Sequence, residues 1–291
     1  MNKGTLATIQ SKAVDIPNVL QQIPDPPERL FLKNSGNNWL ECLLAPMVAI
    51  VGSRKFSAYG RQVTERLATE LAKAGIVIVS GLAMGIDSIA HKAALEVGGR
   101  TVAVLAGGLD NIYPAINQQL AGRIVQQGGA LLSEYEDGMP ALPYQFIARN
   151  RLISGLSRAV IVSEAAVKSG SLHTANFALE QGREVLAVPG NITSSGSGGT
   201  NSLIKIGATP ITDIRDVFDV LGIRKPEQKV VTRGSTPQEQ KILDLLRSGQ
   251  SDGTMLLSAS GLQISQYNQT ITMLEITGKI RALGNNQWGI T

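Results

Sequence analysis

One cysteine, Cys42, stands among 291 residues, so no internal disulfide can form. Two histidines, His91 and His173, accompany it, too few to build a site from four Cys and His ligands, and neither metal nor cofactor is expected. Aromatic residues are scarce at 4%, and charged residues amount to only 17%. The N-terminus, MNKGTLATIQSKAVDIP, has no apolar core and does not read as a secretory signal. The uncharged stretch CLLAPMVAIVGS is too short to cross a bilayer. A cytoplasmic chain with no membrane partner is the expectation.

Glycine is plentiful, with 31 copies, and 43% of the chain is hydrophobic. That mixture excludes global disorder and suits an α/β protein with many tight strand-to-helix turns. The formal charge of +4 permits a polyanionic partner without requiring one.

Residues 1–45 read as an irregular segment rich in Pro, Asn and Gln, without a full helical domain. A regular rhythm follows over 46–222. The runs MVAIV (47–51), IVIVS (76–80), TVAVLA (101–106), ALLS (130–133), AVIVS (159–163) and EVLAVP (184–189) are short, apolar and mostly rich in β-branched residues. Each predicts a strand buried on both faces. Amphipathic segments near 58–74, 85–97, 115–127, 144–157 and 171–182 separate them. A further helix near 200–207 and a short strand near 209–212 extend the pattern. The alternation predicts an extended, Rossmann-like, doubly wound and mainly parallel sheet.

Residues 223–234 read as a linker and 235–291 as a small second domain. There Thr236-Pro237-Gln238-Glu239 has the pattern of a capping box with Pro at the first helical position. Three short helices, the third carrying Tyr267, Ile271 and Leu274 on one face, precede two strands around Asn285-Asn286. That order is the content of a winged helix.

Ligands of doubly wound sheets bind beyond the carboxyl ends of the strands. The turns found there are GSRKFSAYG (52–60), SGLAMGID (80–87), AGGLDNIYP (106–114), SEAAVKSGSLHTA (163–175) and PGNITSSGSGGTN (189–201). They are rich in Gly and small hydroxyl residues, and two cations, Arg54 and Lys168, sit directly after buried strands. Backbone N–H groups approach an anion closely in such turns. No G-x-G-x-x-G follows a strand and no G-x-x-x-x-G-K-[ST] occurs, which disfavours dinucleotide and P-loop sites.

Nucleophilic catalysis has no visible base with an orienting partner. His91 reads as a residue on a helix surface, and Glu134, Glu136 and Asp137 as a solvated loop. Glu164, just after a strand, reads as an acceptor for loop amides. No catalytic residue is assigned. QFIARNRLISGLSRAV (145–160) raises a separate question, because Arg149, Arg151 and Arg158 lie in a stretch without an acid between Asp137 and Glu164.

GSRKFSAYG, SGLAMGIDSIAHKAAL, VLAGGLDNIYPAIN, LLSEYEDGMPALPYQFIARNRLISGLS, EAAVKSGSLHTANFALEQGREVLAVPGNI and GTNSLIKIGA together resemble the DprA family, DNA-processing protein A, also called Smf. The likeness runs from about Ile16 to Leu221 and keeps order and spacing across these blocks. It implies an extended Rossmann fold and a non-catalytic protein that binds single-stranded DNA in natural transformation. Such a protein shields incoming strands, helps load the RecA recombinase, and works as a homodimer. Leu203, Ile204 and Ile206 are candidates for the dimer face.

The likeness further implies an anion edge of Gly52, Ser53 and Arg54 with Ser80, Gly81, Gly107 and Gly108. It places Phe146 beside a base, and Arg149, Asn150 and Arg151 in the pocket with Lys168, Ser169, Gly170 and Ser171. On this reading DNA phosphates supply the counter-charge that the arginine stretch lacks, and Arg158 is left to a structural role. Two positions depart from the family pattern: Ile147 replaces a proline, and Ala115 a lysine that some members carry.

Residues 235–291 hold Lys241, Arg247, Lys279 and Arg281 against Glu239, Asp244, Asp252 and Glu275, a net charge of zero. A helix without cations makes a poor reader of a duplex groove. A protein-contact or accessory role suits this module. Two other readings stay open. One is a LOG-type nucleoside-monophosphate phosphoribohydrolase, although its P-G-G-x-G-T-x-x-E signature is broken here into Pro189-Gly190 and Gly198-Gly199-Thr200 with no following acid. The other is a nucleotide sensor signalling through the C-terminal module.

Overall fold

A computed structural model describes residues 10–36, 38–223 and 234–290 of the chain. By its internal contacts the chain divides into Met1–Pro226 and Glu227–Thr291.

Among its described residues the larger unit is built on nine strands: β1 (Lys12–Ala13), β2 (Phe31–Asn34), β3 (Met47–Val51), β4 (Val77–Ser80), β5 (Thr101–Val104), β6 (Ala130–Ser133), β7 (Ala159–Val162), β8 (Glu184–Ala187) and β9 (Thr209–Pro210). Their order in the sheet is β1-β2-β6-β5-β4-β3-β7-β8-β9. From β6 to β9 all pairings are parallel. Every residue of β3, β4, β5, β6 and β7 is buried, which explains why their sequences are apolar but for Ser80, Thr101 and Ser133 at strand ends.

Helices cover both faces. On one, Leu152, Ile153 and Leu156 of the helix Pro143–Leu156 pack with Leu20, Ile23 and Trp39 against Ala49, Val79 and Val160. On the other, Leu67 and Leu71 of the helix Ala58–Lys73 and Ala90 of the helix Ile86–Glu96 pack on Val48, Ile50 and Ile161. The strand order reverses between β3 and β7, and the carboxyl ends of those two strands lie side by side there.

Two parts of this unit differ from the sequence expectation. Residues 31–34 are not irregular: β2 pairs antiparallel with β6, Leu32 opposite Leu132, and β1 pairs with β2. FLKN is too short to show alternation, and the prolines nearby mask its apolar start. The helix Ile214–Leu221 also lay outside the expected elements. Asp213 caps it by accepting from Arg215 N, Asp216 returns a bond to Asp213 N, and Gly222 ends it at φ 64°. The signal, acid at the cap and acid three residues on, was present in the sequence.

The second unit holds helices Pro237–Arg247, Gly253–Ser260 and Ile264–Ile276 and the hairpin β10 (Ile280–Gly284) and β11 (Gln287–Ile290). Tyr267, Ile271 and Leu274 are buried with Ile242, Leu243 and Leu256, as the helical spacing predicts. Asn285 and Asn286 both take positive φ, 47° and 59°, at the hairpin turn. Thr236 caps the first helix by accepting from Glu239 N, but Glu239 returns its bond to Ser235 N and also holds Lys279. That ion pair occupies Lys279, the first cation after the third helix. The expected linker, 223–234, lies outside the described residues save for its ends.

Candidate functional site

A cleft of about 800 Å³ opens beyond the carboxyl ends of β3 and β7, where the sheet order reverses. Most of its lining comes from the turn after β3, the turn after β7 that leads into the helix Ser171–Glu180, and the helix Pro143–Leu156; Ala83 and Asp87, Tyr113, and Ser195 and Gly196 complete it. The topology dictates this position, because crossover connections leave to opposite faces at a switch point and leave a crevice between them.

From the first turn come Gly52, Ser53, Arg54 and Lys55, and from the second Lys168, Ser169, Gly170 and Ser171. Ser53 Oγ donates to Lys55 O at 2.5 Å and accepts from Lys55 N at 3.0 Å, which folds the turn tightly. Ser169 and Ser171 hydroxyls lie 2.8 Å apart at the helix start. Gly52 has no room for a side chain, since a Cβ there would sit 2.7 Å from Ile86 and 2.8 Å from the Glu164 carbonyl. Among the described residues, Arg54, Lys55 and Lys168 form no ion pair. All three are exposed.

The helix contributes Phe146, Ile147, Arg149, Asn150 and Ile153. These are positions i, i+1, i+3, i+4 and i+7 of one helical face. Pro143 opens the helix, and the buried Gln145 side chain accepts from Leu142 N to close its first turn. The Arg54 guanidinium carbon lies 5.7 Å from the Phe146 ring centre. Tyr113 meets the same ring edge-on at 5.6 Å and 62°, and is itself 58% exposed.

Arg149 reaches the cleft wall from within the protein, with 4% of its surface exposed. It donates to the carbonyls of Gly81, at 2.8 Å, and of Val104. Burial, reinforced by the charge of Arg54, pulls its pKa down to about 10 against the opposing pull of Asp87. Burial raises the Asp87 pKa, and Arg149 and the amides of Ala83 and Gly81 oppose the rise.

Ten of the fifteen expected positions therefore line one cleft, and five do not. Ser80 is fully buried and donates to Ile50 O at 2.6 Å. Gly81 lies beneath the cleft, against Arg149 and Asp87. Gly107 and Gly108 pack under the 136–141 loop, Gly108 N donating to Met139 O at 2.9 Å. Arg151, two residues past Arg149, leaves the helix on another side. It is paired with Glu134 through both terminal nitrogens, at 2.5 and 2.6 Å, and with Asp25 at 2.7 Å. Burial works against its charge, but the bonds and charges of Glu134 and Asp25 outweigh that and raise its pKa. The missing acids of the arginine stretch are therefore protein carboxylates distant in sequence, Glu134 and Asp25 for Arg151 and Asp87 for Arg149.

Three more expectations meet the structure here. His91 is not on a surface: it is fully buried, its Nδ1 2.6 Å from Thr101 Oγ1 and its Nε2 without a protein partner. Burial, with the nearby Arg149 charge, lowers its pKa to about 3. Glu164 accepts from Ser57 N at 2.9 Å, a loop amide as expected. Of the dimer candidates, Leu203 is 4% exposed and belongs to the core, whereas Ile206 is 72% exposed. Lys55, Asp87 and Tyr113 line the cleft and were missed as site residues. Of these, Lys55 had a visible signal, standing beside Arg54 in the same turn.

No group of three or more metal-ligating side chains occurs among the described residues. No helix among them is long and apolar enough to cross a membrane.

Fold and site together define a Rossmann-like α/β protein with a cationic, aromatic-rimmed cleft at its switch point. The chain belongs to the DNA recombination-mediator protein A family, whose model matches residues 7–222. That description names a recombination mediator rather than an enzyme. Protein Smf of Escherichia coli is 47% identical over 205 residues, 70% of this chain and 54% of that protein. The DNA processing protein DprA of Bacillus subtilis is 44% identical over 225 residues, 77% of this chain and 72% of that protein. The chain thus spans about half the length of one curated relative and about three quarters of another. Among solved structures, DNA processing protein A from Helicobacter pylori, described with a single-stranded DNA binding mode, superposes with a TM-score of 0.66 at 36% identity. That match covers 73% of this chain and 96% of that one. The Streptococcus pneumoniae protein gives 0.66 at 43% identity, over 74% of this chain and 75% of that one.

Proposed function

We propose that the cleft binds single-stranded DNA without sequence preference, and that the chain shields such strands and helps load the RecA recombinase on them. The observation that carries this reading is the meeting of free cations with an exposed ring, Tyr113, and a half-buried one, Phe146. Arg54, Lys55 and Lys168 share one open cleft with Tyr113, Phe146 and Asn150. Cations bind phosphates whatever the sequence, and rings accept any base. The single-strand binding described for the H. pylori relative supports it. Natural transformation in the cytoplasm is the corresponding setting. The chain acts as a homodimer on this reading, with the exposed Ile206 and part-buried Ile204 as the contact candidates.

A competition titration tests the central claim. Labelled oligo-dT is displaced by unlabelled oligo-dT, by duplex and by AMP at several salt concentrations. Oligo-dT is expected to compete best, with a slope of log K on log salt that reports several phosphate contacts. Arg54→Ala is expected to remove most of the affinity at low salt. Equal competition by AMP, or base release from it, would favour a nucleotide enzyme or sensor instead.

A further inference from the structure

We propose that Glu164 is a positioning residue for the phosphate-binding turn, acting through Arg54; this rests on the single-strand reading of the cleft.

Glu164 lies two residues past the carboxyl end of β7 and is 5% exposed. An acid so close to a cleft for polyanions is counterproductive unless it is used internally. Its contacts show that use. The backbone carbonyl of Glu164 accepts from Ser53 N at 2.7 Å. Its Oε2 accepts from Ser57 N at 2.9 Å and from Ser57 Oγ at 3.1 Å. One residue thus grips both ends of the turn Ser53–Ser57, and Arg54 and Lys55 lie between the grips.

The carboxylate also sits at the N-terminus of the helix Ala58–Lys73, whose cap is Ser57, bonded through Oγ to Gly60 N at 3.0 Å. A negative charge is favoured at that end of a helix. No ion pair competes for Glu164 among the described residues.

Two glycines make the fit close. A Cβ on Gly60 would lie 1.8 Å from Glu164 Oε2, and one on Gly196 would lie 2.5 Å from Oε1. Gly196 belongs to the cleft wall. The same carboxylate therefore sets where the Arg54 turn and the Ser195–Gly196 edge stand relative to each other. Arg54 is exposed, and its guanidinium lies over the Phe146 ring. Its placement over the cleft depends on the turn beneath it.

The test is a double-mutant cycle on the full chain, read as oligo-dT affinity across salt, with thermal melting as the fold control. Wild type, Glu164→Gln, Arg54→Ala and the double variant are compared. Glu164→Gln keeps the shape and removes the charge that holds Ser57. It is expected to weaken binding about fivefold. The salt slope is expected to fall by about 0.7, one phosphate contact on a single strand. The double variant is expected to bind like Arg54→Ala alone. A fold defect would instead lower the melting temperature, leave the slope unchanged, and multiply with the Arg54 loss. Either an unchanged slope or multiplying losses overturns the proposal. Gly60→Ala provides the same test without removing charge, because its methyl displaces the carboxylate; it too is expected to lower the slope. A wild type that does not bind oligo-dT fails the cleft reading itself, whereas a binding wild type with an intact slope in both variants fails only the role of Glu164.

Discussion

The peptide of Gly81 is held from both sides by opposite charges: Asp87 Oδ2 accepts its N–H at 3.1 Å, and Arg149 Nη1 donates to its carbonyl at 2.8 Å. A side chain on Gly81 would meet both, 2.6 Å from Arg149 Nη2 and 2.8 Å from Asp87 Oδ2. Neither charge is matched by solvent, since Asp87 and Arg149 are 7% and 4% exposed. Removing one partner leaves the other buried and uncompensated. Asp87→Asn is therefore expected to cost about 3 kcal/mol in a urea titration. A loss below about 1 kcal/mol would falsify the electrostatic account of this clamp.

Arg151 stands in the same helix, and its partners are Glu134 and Asp25. Its side chain is 9% exposed, and Arg151→Ala strands Glu134, itself 15% exposed. The variant is expected to be destabilised by about 3 kcal/mol. Where it is still folded, its oligo-dT affinity should match wild type. A selective loss of affinity with unchanged stability would return Arg151 to the binding face.

Tyr113 supplies a ring whose surface is open, while one side of Phe146 faces Arg54. Stacking of one base on a ring is worth about 1–3 kcal/mol. Tyr113→Ala should weaken oligo-dT accordingly and keep the salt slope, because no phosphate contact is lost. An abasic oligonucleotide should bind the variant and wild type alike. Equal losses for both ligands would mean that Tyr113 does not contact bases.

His91 carries a pH dependence of stability. Its folded pKa, lowered by burial to about 3, lies below the ordinary value of 6.5. Between these values the unfolded chain binds a proton that the folded chain does not. The stabilisation is therefore complete above pH 6.5 and declines as pH falls toward 3. Stability should fall by at most about 1.4 kcal/mol per pH unit in that window from this group. Comparing urea midpoints at pH 7 and pH 5 measures it, and His91→Gln should flatten the difference.

How far the site was legible depends on the range of the signal. Arg54 and Lys168 were readable because each follows a buried strand directly, and the end of a parallel strand is where a doubly wound sheet binds. Arg149 and Arg151 were not separable by that rule. They are two residues apart on a helix of 3.6 residues per turn and so point to different sides. Which side faces the cleft is set by packing: Leu152 and Ile153 are buried in the core on one face of the sheet. Tyr113 was overlooked because its partner, Phe146, is 33 positions away, and ring contacts leave no local pattern.

Local sequence was sufficient for the fold class and for the strands β3 to β8. Their mostly apolar runs have no stable place except between two layers of helices, and that requirement is readable residue by residue. The order of the strands, and with it the switch point between β3 and β7, arose only when crossovers brought distant segments together. Charge partnership arose the same way. Glu134 lies 17 residues from Arg151 and Asp25 lies 126 away, yet both reach it. A buried guanidinium takes whichever acid the packed chain delivers, because solvation is lost to it and an unpaired charge is costly. Sequence spacing identifies which residues can bear charge into the site; only the folded chain determines which of those charges remain free.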